Sequence, residues 1–194
     1  MGEDEDLAVR AGEGDERSFE LLVARWWDRM GRFAAAAVAG DGELAEEAAQ
    51  DALYRLYSSL PRYRGDSAFG SFAYRICRNA AVDALRRRVR ERRSRAGAQG
   101  PAEAVVAEAG GYSPYLGPEE RLVRESEAEA MRRAMSRMPE GWRSLVYLKE
   151  VEGLRVSELA RIFGLPEGTV KSRLSRARDA LRSLLEEDGY AVDR

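Results

Sequence analysis

VSELARIFGLPEGTVKSRLSRAR, residues 156–178, reads as helix, tight turn, helix. Ser157, or a residue just before it, starts the first helix, and Leu159, Ala160 and Phe163 fall at helical spacing to give it an apolar face. Gly164 ends it, because a left-handed residue commonly closes a helix. Pro166 and Glu167 suit the first turn of the next helix: the proline loses no hydrogen bond there, and the acid meets the positive dipole end. In that second helix Val170, Leu174, Ala177, Leu181 and Leu184 recur at steps of four, three, four and three, one narrow apolar stripe. Lys171, Ser172, Ser175 and Arg176 point away from it, with Arg173 and Arg178 on the flanks. A packed helical pair with a merely solvated face would explain the periodicity. The Gly-x-Pro turn and the sign of the outer charges favour a helix that reads a DNA major groove.

The rest of the composition removes whole classes of function. Histidine is absent and Cys77 is the single cysteine. That removes the usual general base, an internal disulfide and the common metal sites, so no catalytic residue, metal or cofactor is expected. GEGDER lacks the spacing and the lysine of a phosphate loop. The acidic start, MGEDEDLAVR, has no apolar signal core, and no run is long enough to span a membrane, so a soluble cytoplasmic protein without membrane insertion is expected. Cys77 reads as a small buried apolar residue rather than a redox sensor.

Charge is strongly segregated. Residues 1–60 hold fourteen acids against six bases, residues 61–95 eleven arginines against three acids, and residues 96–130 seven acids against two bases. Such segregation suits one surface for a polyanion and another for a basic or polar partner.

Along the chain, Asp4 to Ala11 is a short candidate helix, broken by AGEGD. A long helix follows from Glu16 to about Val38, with Phe19, Leu22, Val23, Trp26, Met30 and Phe33 near one face. After a turn at Gly40 to Glu43, ELAEEAAQDALYRLYSSL forms another helix to Leu60, with Glu46, Glu47, Gln50, Asp51 and Tyr54 on its outer side. Pro61 stops it. PRYRGDSAF is a compact loop in which Tyr63, Arg64 and Phe69 combine π-faces with positive charge, a pattern suited to unstacked single-stranded bases. The helix that follows, to about Arg93, ends in DALRRRVRERRSR, with more arginines than dipole capping needs, and contacts to a nucleic-acid backbone account for the surplus. From Ala96 to Gly117 periodicity vanishes, as in a flexible, extended linker. Pro118 opens a further helix, WRSLVYLKEVEG packs under the helix-turn-helix, and the tail after Leu185 is expected to fray. The fold class is therefore all-α: two small helical domains joined by a flexible linker, the C-terminal one containing a helix-turn-helix. Their bounds are 1–95, 96–117 for the linker, and 118–188.

Two long stretches carry a resemblance. AEEAAQDALYRLYSSLPRYRGDSAFGSFAYRICRNAAVDALRRR resembles region two, and MPEGWRSLVYLKEVEGLRVSELARIFGLPEGTVKSRLSRARDAL region four, of the extracytoplasmic-function (ECF) sigma factors of bacterial RNA polymerase. The resemblance implies a non-catalytic initiation subunit. It would bind core RNA polymerase through the β′ coiled coil and the β flap, and promoter DNA both as duplex and single-stranded, with an anti-sigma factor as a further partner. On matching positions, Gln50 and Asp51, with Glu47 and Arg55 beside them, would dock on polymerase. Tyr63, Arg64, Gly65, Asp66, Ser67 and Phe69 would capture a flipped base of the −10 element. Asn79 would lie near the same strand, and Arg86, Arg87 and Arg88 would hold the backbone close to the melting start. Thr169, Lys171, Ser172, Arg173, Ser175, Arg176 and Arg178 would meet the −35 element.

The chain departs from the pattern of the family it resembles at four residues. Arg155 stands where a capping Ser or Thr is common, so the cap is expected to slip to Ser157 and shorten that helix. Phe72 stands where a tryptophan is common, and Ala49 and Ala52 are smaller than usual. The alternative function is a helix-turn-helix regulator that binds duplex DNA without polymerase, for which the RYRGDSAF loop would have no use. A nucleic-acid enzyme would need a metal cluster or an acid–base pair at sensible spacing.

Overall fold

The computed structural model describes residues 2–96 and 118–190, all helices, turns and short connections. The helices are α1 (Glu3–Gly12), α2 (Glu16–Ala37), α3 (Gly42–Ser59), α4 (Phe69–Ala96), α5 (Pro118–Arg137), α6 (Glu140–Glu150), α7 (Val156–Phe163) and α8 (Glu167–Glu187). A 3-10 turn, Leu60–Arg62, takes Pro61 into a tightened continuation of α3 instead of a plain stop. Residues 97–117 of the expected linker lie outside the described residues, and Ala96 still belongs to α4. Of the tail expected to fray, residues 186–190 are packed: α8 runs to Glu187, and Tyr190 packs against the cluster of Ala130, Ala134 and Leu185, while residues 191–194 lie outside the described residues.

Helices α1 to α4 form the first group. Asp15 caps α2 by accepting the Arg17 and Ser18 N–H groups, and Asp41 caps α3 by accepting that of Leu44. Leu22, Trp26, Met30 and Phe33 then recur along one buried face of α2. They meet Leu44, Ala48, Ala52 and Leu56 of α3, and Phe69, Ala73, Tyr74, Cys77, Ala80, Ala81 and Ala84 of α4. The facing alanines of α3 and α4 let those two helices lie close along much of their length. The larger volume is filled by rings: Trp26 stands edge-on to Phe69 at 5.2 Å and to Tyr74 at 5.5 Å, and Phe33 to Tyr74 at 5.4 Å. Cys77 is fully buried with its thiol directed at the Met30 carbonyl, and burial pushes that thiol up to about 12. It is a core residue, with no thiolate to offer at neutral pH.

In the second group α6 packs beneath α7 and α8 as its sequence suggests. Leu145, Leu148, Leu159, Ile162, Val170 and Leu174 are buried together. The apolar face of α7 is Leu159 and Ile162; Phe163 is half-buried and carries the Arg78 guanidinium 4.5 Å above its ring. The cap of α7 does not slip to Ser157. The helix begins at Val156 with Arg155 at the N-cap, because Glu158 reaches back to accept the Arg155 N–H at 2.8 Å. That is half of a capping box, and it keeps the helix at full length without a capping hydroxyl. Gly164 sits at φ 64°, the left-handed exit expected of it.

The two groups touch. Arg143 of α6, only 6% exposed, donates to the Ala37 carbonyl from Nε and Nη2 at 3.1 and 2.7 Å, and to the Met138 carbonyl at 2.6 Å. It thereby caps the last carbonyl of α2 from the other half of the chain. Arg29 pairs with Glu152 at 2.7 Å and lies 4.4 Å over the Trp26 ring. No described helix is long and apolar enough to cross a membrane.

Candidate nucleic-acid and polymerase interface

Helix α8 offers the simplest surface. Val170, Leu174 and Ala177 are buried, which turns Lys171, Ser172, Arg173, Ser175 and Arg176 outward and leaves all five exposed. No ion-pair or hydrogen-bond partner for Lys171, Arg173 or Arg176 is found among the described residues, so their charge is available to a ligand. Thr169 is half-buried, and its carbonyl accepts the Ser172 hydroxyl. Arg178 differs from the rest of the predicted set: it pairs with Glu150 at 2.6 Å and ties α8 to α6.

The loop from Tyr63 to Phe69 differs from its sequence reading in one respect. Neither Tyr63 nor Phe69 is an open stacking platform. Phe69 is fully buried against Trp26, and Tyr63 is 8% exposed. The cause is position: Phe69 is the first residue of α4, so its side chain enters the core. The Tyr63 hydroxyl donates to the Ser67 carbonyl at 2.5 Å and closes the loop on itself. Burial, then the charges of Glu5 and Asp66, push that phenol up to about 12, so it keeps its donating proton at neutral pH. Gly65 makes the bend at φ 76°. Arg64 and Asp66 are left exposed at the tip, with Gly65 and Ser67 half-buried between them.

The ring that does reach the surface is Phe72, half-buried one turn into α4, with Tyr63 4.9 Å behind it and the Arg75 guanidinium 5.9 Å away. Arg75 and Asn79 are exposed four residues apart, and Arg86 and Arg90 continue the same helical face. The sequence singles out Asn79 and Arg86 there and not Phe72 or Arg75, though helical spacing, at three, four and seven residues, puts Phe72, Arg75, Asn79 and Arg86 near one face.

Arg87 and Arg88 face the other way. Arg87 pairs with Glu47 at 2.8 Å, and Arg88 lies 3.3 Å from Asp41 and 3.4 Å from Glu43. The charge of Asp41, above all, raises the Arg88 guanidinium above its ordinary value. The same seam takes in most residues expected to meet polymerase. Arg55 pairs with both Asp51 and Asp83 at 2.8 Å, and the bond to Asp83 leads in raising it. Glu47, Asp51 and Arg55 therefore hold α3 to α4, while Gln50 stands exposed and donates to Glu46. Around Gln50 the surface is aromatic: Tyr54 and Tyr57 are 72% and 58% exposed. Beside them Trp27, Gly31, Ala45 and Ala49 line a shallow groove of about 250 Å³ between α2 and α3. The small Ala49 helps to make that groove.

Two family models match the chain. The family model for Sigma-70 region 2 matches residues 22–91, and that for Sigma-70 region 4 matches residues 128–181. The chain is 31% identical to the RNA polymerase sigma-H factor of Pseudomonas aeruginosa, over 95% of this chain and 94% of that protein. It is 33% identical to the ECF RNA polymerase sigma-E factor of Escherichia coli, over 92% of each. Among solved structures, the sigma factor RpoE in complex with the anti-sigma factor NepR from Bartonella quintana superposes with a TM-score of 0.71 at 23% identity, over 92% of this chain and 99% of that one. CnrH in complex with the cytosolic domain of CnrY gives 0.65 at 23% identity, over 95% and 98%. With two sigma regions in order on one chain and relatives aligned over nearly its whole length, the protein belongs to the ECF sigma factors of RNA polymerase.

Proposed function

We propose that this chain gives core RNA polymerase its promoter specificity and performs no chemistry of its own. The observation that supports the reading is that one chain carries two different exposed polar surfaces, each with side chains that suit nucleic acid. Helix α8 presents Lys171, Arg173 and Arg176, which have no partner among the described residues, together with hydroxyls, at a spacing that fits duplex DNA, the −35 element. The loop tip at Arg64 and Asp66, with Phe72, Arg75 and Asn79 beside it, combines a ring, a cation and an amide, which fits an unpaired strand of the −10 element. Capture of a base there offsets an unstacking cost of a few kcal/mol and so favours melting. In this reading Tyr63 and Phe69 shape the loop, and Arg86 follows the backbone along α4. Gln50, with the aromatic rim of α3, docks on polymerase. Residues 1–95 and 118–188 act as the two working domains, in the bacterial cytoplasm where polymerase acts. One of the two solved structures named above holds its sigma factor in complex with an anti-sigma factor, NepR, and this chain is expected to have one.

The test is promoter-dependent transcription. Core polymerase receives a pool of random templates with and without the chain, and run-off products are sequenced. New start sites sharing two upstream motifs are expected. Specific duplex binding without polymerase, and no new start sites, would overturn the proposal.

A further inference from the structure

The loop of residues 63–68 is bracketed at both ends by α1, a helix that precedes the residues matched by the region 2 family model. At the exit, the Phe69 N–H donates to the Glu5 carboxylate at 2.7 Å. Phe69 is the first residue of a 28-residue helix, and the residue before it is Ala68, whose methyl group cannot cap. The positive end of α4 therefore takes its anionic cap from a residue 64 positions earlier in the chain. At the entry, Gly12 lies flat on the Leu60 backbone: a Cβ there would stand 2.4 Å from the Leu60 carbonyl oxygen. Only glycine permits that approach.

Between these two grips α1 is anchored on α2. Leu7 and Ala8 are buried, Arg25 pairs with Glu3 and Asp4, and the Trp26 indole N–H donates to Asp4 at 2.9 Å. Trp26 in turn stands edge-on to Phe69 and packs against Gly70, where a Cβ would come within 2.8 Å of the indole.

We infer that α1 is the clamp that sets the shape of the base-capturing loop, with Glu5 as its positioning residue. Glu5 touches no nucleic acid in this scheme. It fixes the first turn of α4, and with it the relative placement of Ser67, Phe72 and Arg75. Small displacements at such a site are costly, since a misplacement of about 1 Å can lose about a hundredfold in rate. The inference rests on the proposed role of the loop.

The experiment uses holoenzyme assembled from core polymerase and the full chain, on a promoter obtained from the run-off selection. Four quantities are measured: open-complex formation by permanganate reactivity, the preference among bases at the captured −10 position, affinity for core polymerase, and melting temperature of the free chain. Glu5→Ala is expected to reduce open complex about tenfold and to bring the base preference close to one, with core affinity within about twofold of wild type. Glu5→Gln keeps an oxygen that accepts the Phe69 N–H and is expected to restore most of the preference. Arg25→Ala weakens the seating of α1 but leaves the Glu5 contact, and is expected to keep it. An unchanged preference in Glu5→Ala overturns the clamp, as does an equal loss in Glu5→Ala and Arg25→Ala, which would mark a general loosening of α1. A wild-type holoenzyme with no base preference in the melted strand would remove the reading of the loop itself, and the clamp with it.

Discussion

Helix α8 and the C-terminal half of α4 are both rich in arginine, yet the cations on the outer face of α8 and those of α4 that face α3 are in opposite states. On α8 the outward Lys171, Arg173 and Arg176 find no partner among the described residues. On α4, Arg87 and Arg88 are held by Glu47, Asp41 and Glu43. The difference is made by the neighbours. Helix α3 runs along α4 and offers acids at 41, 43, 47 and 51, whereas α6 sends only Glu150 toward α8, to Arg178. An exposed ion pair contributes about 0–1 kcal/mol, so these pairs do not forbid DNA contact. They subtract from it, and they fix the angle between two helices in return.

The largest effect is expected where charge is open. Arg176→Ala should weaken binding of the −35 duplex by about 1–3 kcal/mol if the side chain reads a base, with little change in melting temperature. Competition binding of holoenzyme to promoters altered at single positions checks this. Loss confined to one position marks a base contact, and a uniform loss with a salt slope smaller by about one marks a phosphate contact. Next in size is Asp51→Arg. The new guanidinium would face Arg55 and Arg87 in the seam between α3 and α4. Core affinity should fall about tenfold, and the chain should lose about 1 kcal/mol of stability as well. Polymerase pull-down together with urea unfolding separates the two losses. An undiminished melting transition would mean the seam does not matter to the fold.

Much of this was legible in the sequence, and the part that was not has a physical cause. The stripe at Val170, Leu174 and Ala177 decides which way α8 faces, because three contacts at helical spacing fix a rotation. The loop residues were recognisable by type but not by direction. Whether Phe69 points outward depends on Trp26, a residue distant in sequence that fills the space beneath it. The arginine run of α4 was equally visible, but its pairing depends on how α3 lies beside α4, which is set by alanines packing across the two helices. Glu5 gives no local signal at all. Its partner is a backbone N–H on another helix, and the one hint was Ala68, a poor cap, ahead of a long helix. At Arg155 the local rule misled, since Glu158 supplies the cap from inside the helix.

A further engaged cation, Arg29, extends the comparison to the contact between the two groups. Burial works to raise the Glu152 carboxyl, but the Tyr74 hydroxyl and the Arg29 guanidinium outweigh it and hold the group below its ordinary value. A carboxyl depressed on folding stabilises the fold above its unfolded value of about 4.3 and loses that contribution as pH falls through the folded value. Acidification from about pH 7 to below about pH 4 should therefore remove about 0.5–1 kcal/mol through this pair. Urea unfolding at several pH values should show a smaller acid loss in Glu152→Gln than in wild type. Equal losses would place the acid-sensitive contact elsewhere.

The smallest effect is expected where charge is most engaged, and it tests the comparison most directly. Arg87→Ala removes a cation already paired with Glu47 at 2.8 Å. Non-specific affinity for single-stranded DNA should drop by less than about twofold, because the wild-type contact first has to give up its intramolecular pair. The salt slope should change by well under one. Glu47→Gln should act in the opposite sense and raise that affinity slightly, by releasing the guanidinium. The two variants together should be nearly additive only if Arg87 and Glu47 do not interact, so a double-mutant cycle reads the pair directly. If Arg87→Ala alone costs tenfold and Glu47→Gln changes nothing, Arg87 is as free as Arg176. The division between an open and an engaged basic helix then falls, because proximity in the folded chain would not have altered what the arginine can offer to DNA.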